Sequence, residues 1–474
     1  MPFKGLRDFI EALGRSGDLV RVEREVDWNL EAGAITRRVC EIGERAPLFL
    51  RVKDYPGHRM LGAPLATYRR FAVAMGLPPD TPVRAILDEF DRRSRGRLKP
   101  RVVDRSQAPC KQNVMRGEEV DLFRFPAPMV HEGDGGRYLA TFHFVVTKDL
   151  DSDWVNWGMY RVMVHNRNTM GGLILPGQDI GRMYVKYEAA GRPMPYAIVI
   201  GPDPMSAVAS CMSPGPGETE ADIAGALNGE PVEVVRCETC DLYVPAHAEI
   251  VIEGEVLPKV RVEEGPFGEY TGYRTSPRMP RPVFTVKCVT WRDDPIVPLA
   301  NMGVPVDDSH IIFSVTWRQD VLNAVSKFPI TGVYVPPESA GHVAIIGVHK
   351  VYEHIAQHVA DAMWGSKMGY LMPYCIVVDA DVDVYDMGQV LHALFTKLHP
   401  IRGVHGRPGP GHGLFPFMSL EERRWGKGAH LLLDCTWPFD WREGIERPQR
   451  AGFTTIYPKE LQERVLANWK AYGF

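Results

Sequence analysis

Three acidic residues, Glu263, Glu264 and Glu269, surround a Pro-Phe-Gly sequence in the stretch EEGPFGEYTGY, Glu263 to Tyr273. Gly265, Pro266 and Gly268 each disfavour a helix, and Pro266 also drives the residue before it away from helical angles, so the stretch is expected to be a turn. A tight turn can bring Glu264 and Glu269 back toward one another. Two carboxyl groups in a shared pocket repel, so one tends to hold its proton near neutral pH, which sets an acid beside a base. On an open surface the same residues would form only a solvated acidic loop, so the reading depends on what faces them.

A partner for these acids lies upstream. VNWGMYRVMVHN (Val155 to Asn166) reads as one strand of alternating sides, with Asn156, Gly158 and Tyr160 facing one way and Trp157, Met159 and Arg161 the other. An arginine among such apolar neighbours needs an anion, because an unpaired buried charge is very costly. Glu264 is the candidate. Arg161 would keep it ionised and leave Glu269 to carry the proton.

The elements that must hold these groups follow from periodicity. Leu6, Phe9, Ile10 and Leu13 have helical spacing, and LVRVEREV after them reads as a strand, so the chain opens with a mixed α/β region. A Pro- and Arg-rich connection from Arg92 to Pro109 places a boundary near residue 115. From Tyr138 to Pro298 the chain is β-rich, with the runs ATFHFVVTKD, PYAIVIG, AEIVIEGEV and PVFTVKCVTW among others, and a barrel-like domain is expected. Two helices interrupt it. One sets Ile180, Met183, Tyr184 and Tyr187 on a face; the other begins at Thr219 with Asp222 three residues on, a capping pattern. Beyond about residue 305 helix and strand alternate, as in a further α/β domain. GRPGPGHGLFPF (Gly406 to Phe417) is too rich in Gly and Pro for a regular element and reads as a lid or binding loop. The expected division is therefore 1–115, 116–304 and 305–474.

With 474 residues, 45% of them hydrophobic, and a net charge of -4 without a long basic run, the chain is globular and has no nucleic-acid signature. Its apolar runs are too short to span a membrane, and the N-terminus lacks the apolar core of a signal peptide. Eight scattered cysteines do not make a disulfide framework, which points to a reducing compartment, by default the cytoplasm. Cys237 and Cys240 form a C-x-x-C in the strand-like EVVRCETCDLYVP. With no second pair at zinc spacing and no helix start to lower a thiol pKa, neither metal nor redox chemistry is expected there.

Several motifs, in order along most of the chain, resemble the UbiD family of decarboxylases. They are NWGMYR, QDI, SCMSPGPGETEAD, CETCDLYVPA, EGPFGEYTGY and SKMGY followed by IVVDADVD. The resemblance implies a flavin-binding split β-barrel flanked by an N-terminal α/β region and a C-terminal α/β domain with a role in oligomerisation, as a dimer or hexamer. It implies prenylated FMN, made by a separate flavin prenyltransferase, and a reversible, non-oxidative decarboxylation of an aromatic or heteroaromatic acid. In that chemistry the substrate bonds to the cofactor, CO2 leaves, and a glutamic acid protonates the ring carbon.

Carried over by motif, the catalytic set falls on Arg161, Glu264 and Glu269, with Glu269 the proton donor. The cofactor-binding set falls on Asn156, Trp157, Gly158, Met159, Tyr160, Arg161, Gln178, Ser210, Cys211, Met212, Glu220 and Lys367, the lysine matching a phosphate contact. A divalent ion, Mn²⁺ or Mg²⁺, would be held by Asn156, Asp179 and Glu220. Asp179 stands where many relatives have histidine; a carboxylate suits a hard ion but adds negative charge. A K⁺ site would use Trp157, Ala209 to Met212, and Glu220. For the substrate, Phe313 resembles a pocket-lining position, and His310 and His412 are candidates to meet a phenol or ring N–H. Two other readings remain: an FMN-dependent oxidoreductase on a split barrel, which would not need the acidic turn, and a noncatalytic subunit of a carboxylase complex, which would not need an intact Arg-Glu-Glu set.

Overall fold

The computed structural model describes residues 3–215 and 218–474; Pro216 and Gly217, within the SCMSPGPGETEAD run, lie outside the described residues. Leu6, Phe9, Ile10 and Leu13 are all buried on the helix Leu6–Arg15. The strand after it, Leu19–Val22, pairs in a four-stranded sheet with Ala46–Phe49, Arg59–Gly62 and Ile296–Leu299. The last of these comes from far along the chain, so the polypeptide returns to its N-terminal sheet after building the central region.

The central sheet has nine strands. Eight run in the order Arg137–Ala140, Val162–Asn166, Thr169–Gly172, Met279–Trp291, Ile250–Glu264, Met194–Ile200, His143–Lys148 and Val155–Gly158, and Asn113–Arg116 joins Met279–Trp291 beside this path. No pairing among the described residues joins the two ends. The chain nevertheless passes from Gly158, on the last strand, to Val162, on the second, through Met159, Tyr160 and Arg161 alone. Four Cα steps of 3.8 Å limit that gap to about 15 Å, so the sheet curls until its ends nearly meet. Twist alone favours such curling in a long sheet.

This crossing corrects the reading of VNWGMYRVMVHN as one strand. The break falls at Gly158 because the Tyr160 ring folds back over it; a Cβ on Gly158 would lie 2.3 Å from the Tyr160 hydroxyl. Two further expectations change. EVVRCETCDLYV is a hairpin, Glu233–Arg236 against Tyr243–Pro245, with both cysteines in its turn. Gly406 to Pro410 is regular after all, as part of the strand Val404–Pro410. That strand lies at a sheet edge, the one place where proline's missing N–H is tolerated.

Helices cover the central sheet as the spacing predicts. Ile180, Met183, Tyr184 and Tyr187 are buried on Asp179–Ala189, and the Thr219 hydroxyl accepts the Asp222 N–H at 3.3 Å to cap Glu220–Asn228. The C-terminal sheet runs Ile330–Tyr334, Val343–Val348, Tyr374–Asp379, Lys427–Cys435, Val404–Pro410. Its helix Asp308–Val325 lies between this sheet and the rest of the molecule. No helix among the described residues is long and apolar enough to cross a membrane.

One buried ion pair ties this helix to the N-terminal region. Arg318 Nη1 donates to both oxygens of Asp91, at 2.7 and 2.8 Å, while Nε donates to the Val333 carbonyl and Nη2 to the Tyr385 hydroxyl. Asp91→Ala leaves the guanidinium buried without its counter-charge. The urea unfolding midpoint should drop by the equivalent of about 3 kcal/mol, and Asp91→Leu combined with Arg318→Met should recover most of that loss.

Candidate active site

Arg161, the last residue of the crossing, joins the two acids. Its Nε and Nη2 donate to the two oxygens of Glu264, at 2.9 and 3.0 Å, and its Nη1 contacts Glu269 Oε1. All three side chains are buried. Glu264 Oε1 also accepts the Tyr138 hydroxyl at 2.8 Å. Tyr138 is close because its strand, Arg137–Ala140, pairs with the strand that begins just after Arg161. Burial pushes the Tyr138 hydroxyl pKa well up, so it stays a donor.

The acidic turn is held from several sides. Glu264 is not in the turn but is the last residue of the strand Ile250–Glu264, whose register sets it opposite Met279. Gly265 then takes φ 81°, a left-handed angle that a side chain would strain. Phe267 is fully buried, 4.3 Å from the Tyr138 ring and beneath the Arg161 guanidinium at 5.5 Å. The Gly268 N–H donates to Asp134 Oδ1 at 3.1 Å, and a Cβ at Gly268 would strike the His131 ring at 2.6 Å. Glu269 is therefore fixed by the packing of Phe267 and by hydrogen bonds to its backbone, with its carboxyl turned to Arg161.

Glu269 and Arg161 lie in the wall of a cavity of about 510 Å³, within the roughly 300–1,000 Å³ of small-molecule sites. Asn156, Trp157, Gly158, Met159, Tyr160, Gln178, Asp179, Ser210, Cys211, Met212, Lys367, Phe313 and His412 line the same cavity. Glu264, Ala209, Glu220 and His310 do not. Glu264 and Glu220 stand directly behind the wall, the first bound to Arg161 and the second accepting the Trp157 N–H at 3.0 Å. Ala209 is buried at the end of the helix Pro204–Ala209, where its carbonyl accepts the Met212 N–H at 2.9 Å.

His310 is the one substrate candidate that the structure removes. Its Nε2 meets the Tyr270 carbonyl at 2.6 Å and its Nδ1 meets Asp307, the N-cap of its own helix, at 3.0 Å. Both nitrogens are thus taken by protein groups. His412 is different: it lines the cavity, its Nδ1 is buried without a partner, and burial beside His342 lowers its pKa to about 4, so the ring is neutral. The Tyr270 hydroxyl, from the acidic turn, is likewise buried and unpaired.

At the Lys367 side of the cavity, Nζ lies 3.1 Å from Asp179 Oδ2. Asn156 Nδ2 donates to the Tyr160 hydroxyl at 3.3 Å, which leaves its amide oxygen available. Glu220 is buried, and burial, reinforced by the charge of Asp179, pushes its carboxyl up to about 8. Two acids and an amide oxygen make a hard donor set with an excess of negative charge, which fits a divalent cation.

Sequence reasoning missed Tyr138, Tyr270, His143 and Asp308. His143, also in the cavity wall, donates from Nε2 to the Tyr160 carbonyl at 2.8 Å, and burial lowers its pKa to about 4. Only an internal residue of a β-rich run marks Tyr138 and His143, and only a tyrosine of the acidic turn marks Tyr270, signals too common to separate them from core residues.

A buried cation between two acids, opening on an apolar cavity of cofactor size, defines an acid–base enzyme with room for a bound cofactor. Comparison with known proteins narrows this. The chain matches the N-terminal, Rift-related and C-terminal domains of 3-octaprenyl-4-hydroxybenzoate carboxy-lyase (UbiD) over residues 10–90, 101–305 and 310–435. It is 37% identical to pyrrole-2-carboxylic acid decarboxylase of Pseudomonas aeruginosa, over 99% of this chain and 98% of that one. The closed form of vanillic acid decarboxylase from Sedimentibacter hydroxybenzoicus superposes with a TM-score of 0.92 at 28% identity, with full coverage of both chains. An evolved dimeric form of the UbiD-class enzyme HmfF from Pelotomaculum thermopropionicum, in complex with prFMN, gives 0.78 at 31% identity over 93% of this chain and 96% of that one. The chain belongs to the UbiD family and is a decarboxylase, a carboxy-lyase, of that class.

Asp308 gives the site a pH dependence. It lines the cavity, Oδ1 accepts the Leu65 N–H at 2.6 Å, and Oδ2 has no partner. Burial raises its carboxyl from 3.8 to about 7. Between these values the folded chain holds a proton that the unfolded chain releases, so this residue's contribution to stability is lost as pH rises. Asp308→Asn should therefore gain in melting temperature over the wild type as the pH rises from about 4 to about 7, with no further widening above that range.

Proposed function

We propose that this enzyme decarboxylates, reversibly and without net oxidation, an aromatic or heteroaromatic acid that carries a phenol or ring N–H, with prenylated FMN as cofactor. The observation that carries this reading is the Arg161 guanidinium bound to Glu264 and touching Glu269 at the wall of the cavity. Prenylated FMN, when bound, supplies the electron sink that loss of CO2 from an aromatic carbon requires.

In this reading the chain's own groups divide the work. Arg161 orients the substrate carboxylate, and Glu264, held by Tyr138, keeps Arg161 in place. Glu269 delivers a proton from its carboxyl to the carbon that loses CO2. Phe313, stacked on Trp317 at 4.0 Å, and Leu414 keep water from that carbon. Lys367 meets the cofactor phosphate. Asn156, Asp179 and Glu220 hold Mn²⁺ or Mg²⁺ beside it, and the carbonyls around Trp157, Ala209 and Met212, with Glu220, hold K⁺. Gln178, Ser210 and Cys211 complete the wall on that side.

His412 sets the substrate class. A neutral, unpaired imidazole can accept from a ring N–H or phenol, and the Tyr270 ring, whose hydroxyl is also unpaired, lies with its centre 6.4 Å from that of His412. The names of two relatives, a pyrrole-2-carboxylic acid and a vanillic acid decarboxylase, specify acids of this kind. A homo-oligomer, dimer or hexamer, belongs to the same reading; Phe395 and Ile401, each 81% exposed, are apolar surface for it to cover.

Protein co-expressed with a flavin prenyltransferase should carry prenylated FMN by mass and absorption, and should release CO2 from pyrrole- or hydroxybenzoate-type acids faster than from a cinnamate. Retention of plain FMN with turnover of NAD(P)H would favour the oxidoreductase reading instead. Glu269→Gln should lower turnover by roughly 10²- to 10⁴-fold while cofactor content stays near wild type. His412→Leu should reduce kcat/KM roughly ten- to a hundredfold on acids with a phenol or N–H, and far less on analogues that lack one.

A further inference from the structure

The hairpin turn that carries Cys237 and Cys240 takes no part in the site described above. The two sulfurs and a carboxylate oxygen of Glu253 all lie within 4.8 Å of one another. The turn is closed by the Cys237 N–H to the Leu242 carbonyl at 2.8 Å.

Beneath the turn lies Lys111, whose side chain has no exposure. Its Nζ is 3.0 Å from Glu253 Oε1 and 3.6 Å from Glu238 Oε1. Burial opposes its charge, but Glu253 and Cys237 outweigh burial and raise its pKa. Glu253 Oε2 accepts the N–H groups of Glu238 and Thr239, at 2.7 and 2.8 Å, and the Thr239 hydroxyl at 3.0 Å. The carboxylate is therefore already committed to protein donors, and an ammonium stands beside it. That arrangement disfavours a divalent ion and leaves the two thiols free to react with each other.

We propose that Cys237 and Cys240 form a reversible dithiol–disulfide pair that reacts with peroxides, with Cys240 as the attacking sulfur. Cys240 is half-buried and Cys237 buried, so the reagent reaches the outer thiol and the inner one resolves. Interaction between the two neighbouring thiols lowers the Cys240 pKa and raises that of Cys237. In the first step the Cys240 thiolate attacks one peroxide oxygen, the O–O bond breaks, and hydroxide leaves and is protonated to water. In the second step the Cys237 sulfur attacks Cys240, the S–O bond breaks, and a second water leaves. Two thiols thus lose two electrons and two protons to one hydrogen peroxide, giving one disulfide and two waters.

The other thiols set a contrast. Burial pushes Cys110, Cys211 and Cys288 up to about 12, about 12 and about 11. The pair combines access with a neighbouring thiol. This inference is independent of the cofactor and of the decarboxylation chemistry.

The full-length protein, reduced and freed of reductant, is treated with hydrogen peroxide near neutral pH, alkylated and digested with trypsin. The peptide from Cys237 to Lys259 carries both cysteines. It should lose two hydrogens, resist alkylation, and regain both thiols with dithiothreitol. Cys237→Ser should leave a Cys240 sulfenic acid that dimedone traps, while Cys240→Ser should react at least about tenfold more slowly. Full alkylation of both cysteines after peroxide, with Cys211 oxidised first, would overturn the proposal. So would zinc that survives chelation in the wild type and is lost in Cys240→Ser.

Discussion

The guanidinium of Arg161 is the constraint around which the site is built. A buried arginine is unfavourable unless its donors are met by charge, and here two acids from different parts of the turn region meet them. The geometry over-determines the result. Glu264 is fixed by strand register and by Tyr138, Glu269 by the buried Phe267 and the Asp134 bond to Gly268, and Arg161 by the ring below it. None of these groups can move alone without exposing another to an unpaired charge, which is how a site keeps reactive side chains within hydrogen-bond reach.

Curling of the central sheet is what allows that convergence. Arg161 belongs to neither strand it connects; it occupies the three-residue step between the two ends of the sheet. The strand that ends in Glu264 lies mid-sheet, and Tyr138 comes from the first strand of the path. Flattened, the sheet would hold the Gly158 and Val162 strands six positions apart, far more than the crossing can span. Curling of the sheet and assembly of the Arg-Glu-Glu set therefore depend on the same crossing.

Much of this was legible in the residues and some was not. Helical spacing marked Leu6–Arg15 and Asp179–Ala189 because a 3.6-residue period survives any tertiary context, and the short-range chemistry of Gly265, Pro266 and Gly268 marked the turn. The strand break at Gly158 was hidden because its cause is the Tyr160 ring, a tertiary contact. The regular pairing of Val404–Pro410 was hidden because composition cannot show that a strand lies at an edge. His310 and His412 looked alike in the chain; only their hydrogen bonds tell the helix cap from the cavity wall. Lys111 is separated by 142 residues from the Glu253 that holds it, so the setting of the C-x-x-C could not be read from its own neighbourhood.

The far side of the cavity has the same charge count but pairs it less fully. Around Arg161 one cation is shared by two acids; around Lys367 the cation faces Asp179 at 3.1 Å, and Glu220 behind the wall accepts the Trp157 N–H instead of a cation. Burial, reinforced by the charge of Asp179, raises the Glu220 carboxyl to about 8. An anionic phosphate brought here by itself would meet a Lys367 already engaged by Asp179. A dication offsets both the phosphate and the acids, so phosphate and metal would bind together or poorly. Aspartate at 179, in place of a neutral ligand, strengthens this coupling. The proposed cofactor site would thus sense its metal more sharply than one built with histidine, while the Arg161 side, held by its own hydrogen bonds, remains assembled with or without it.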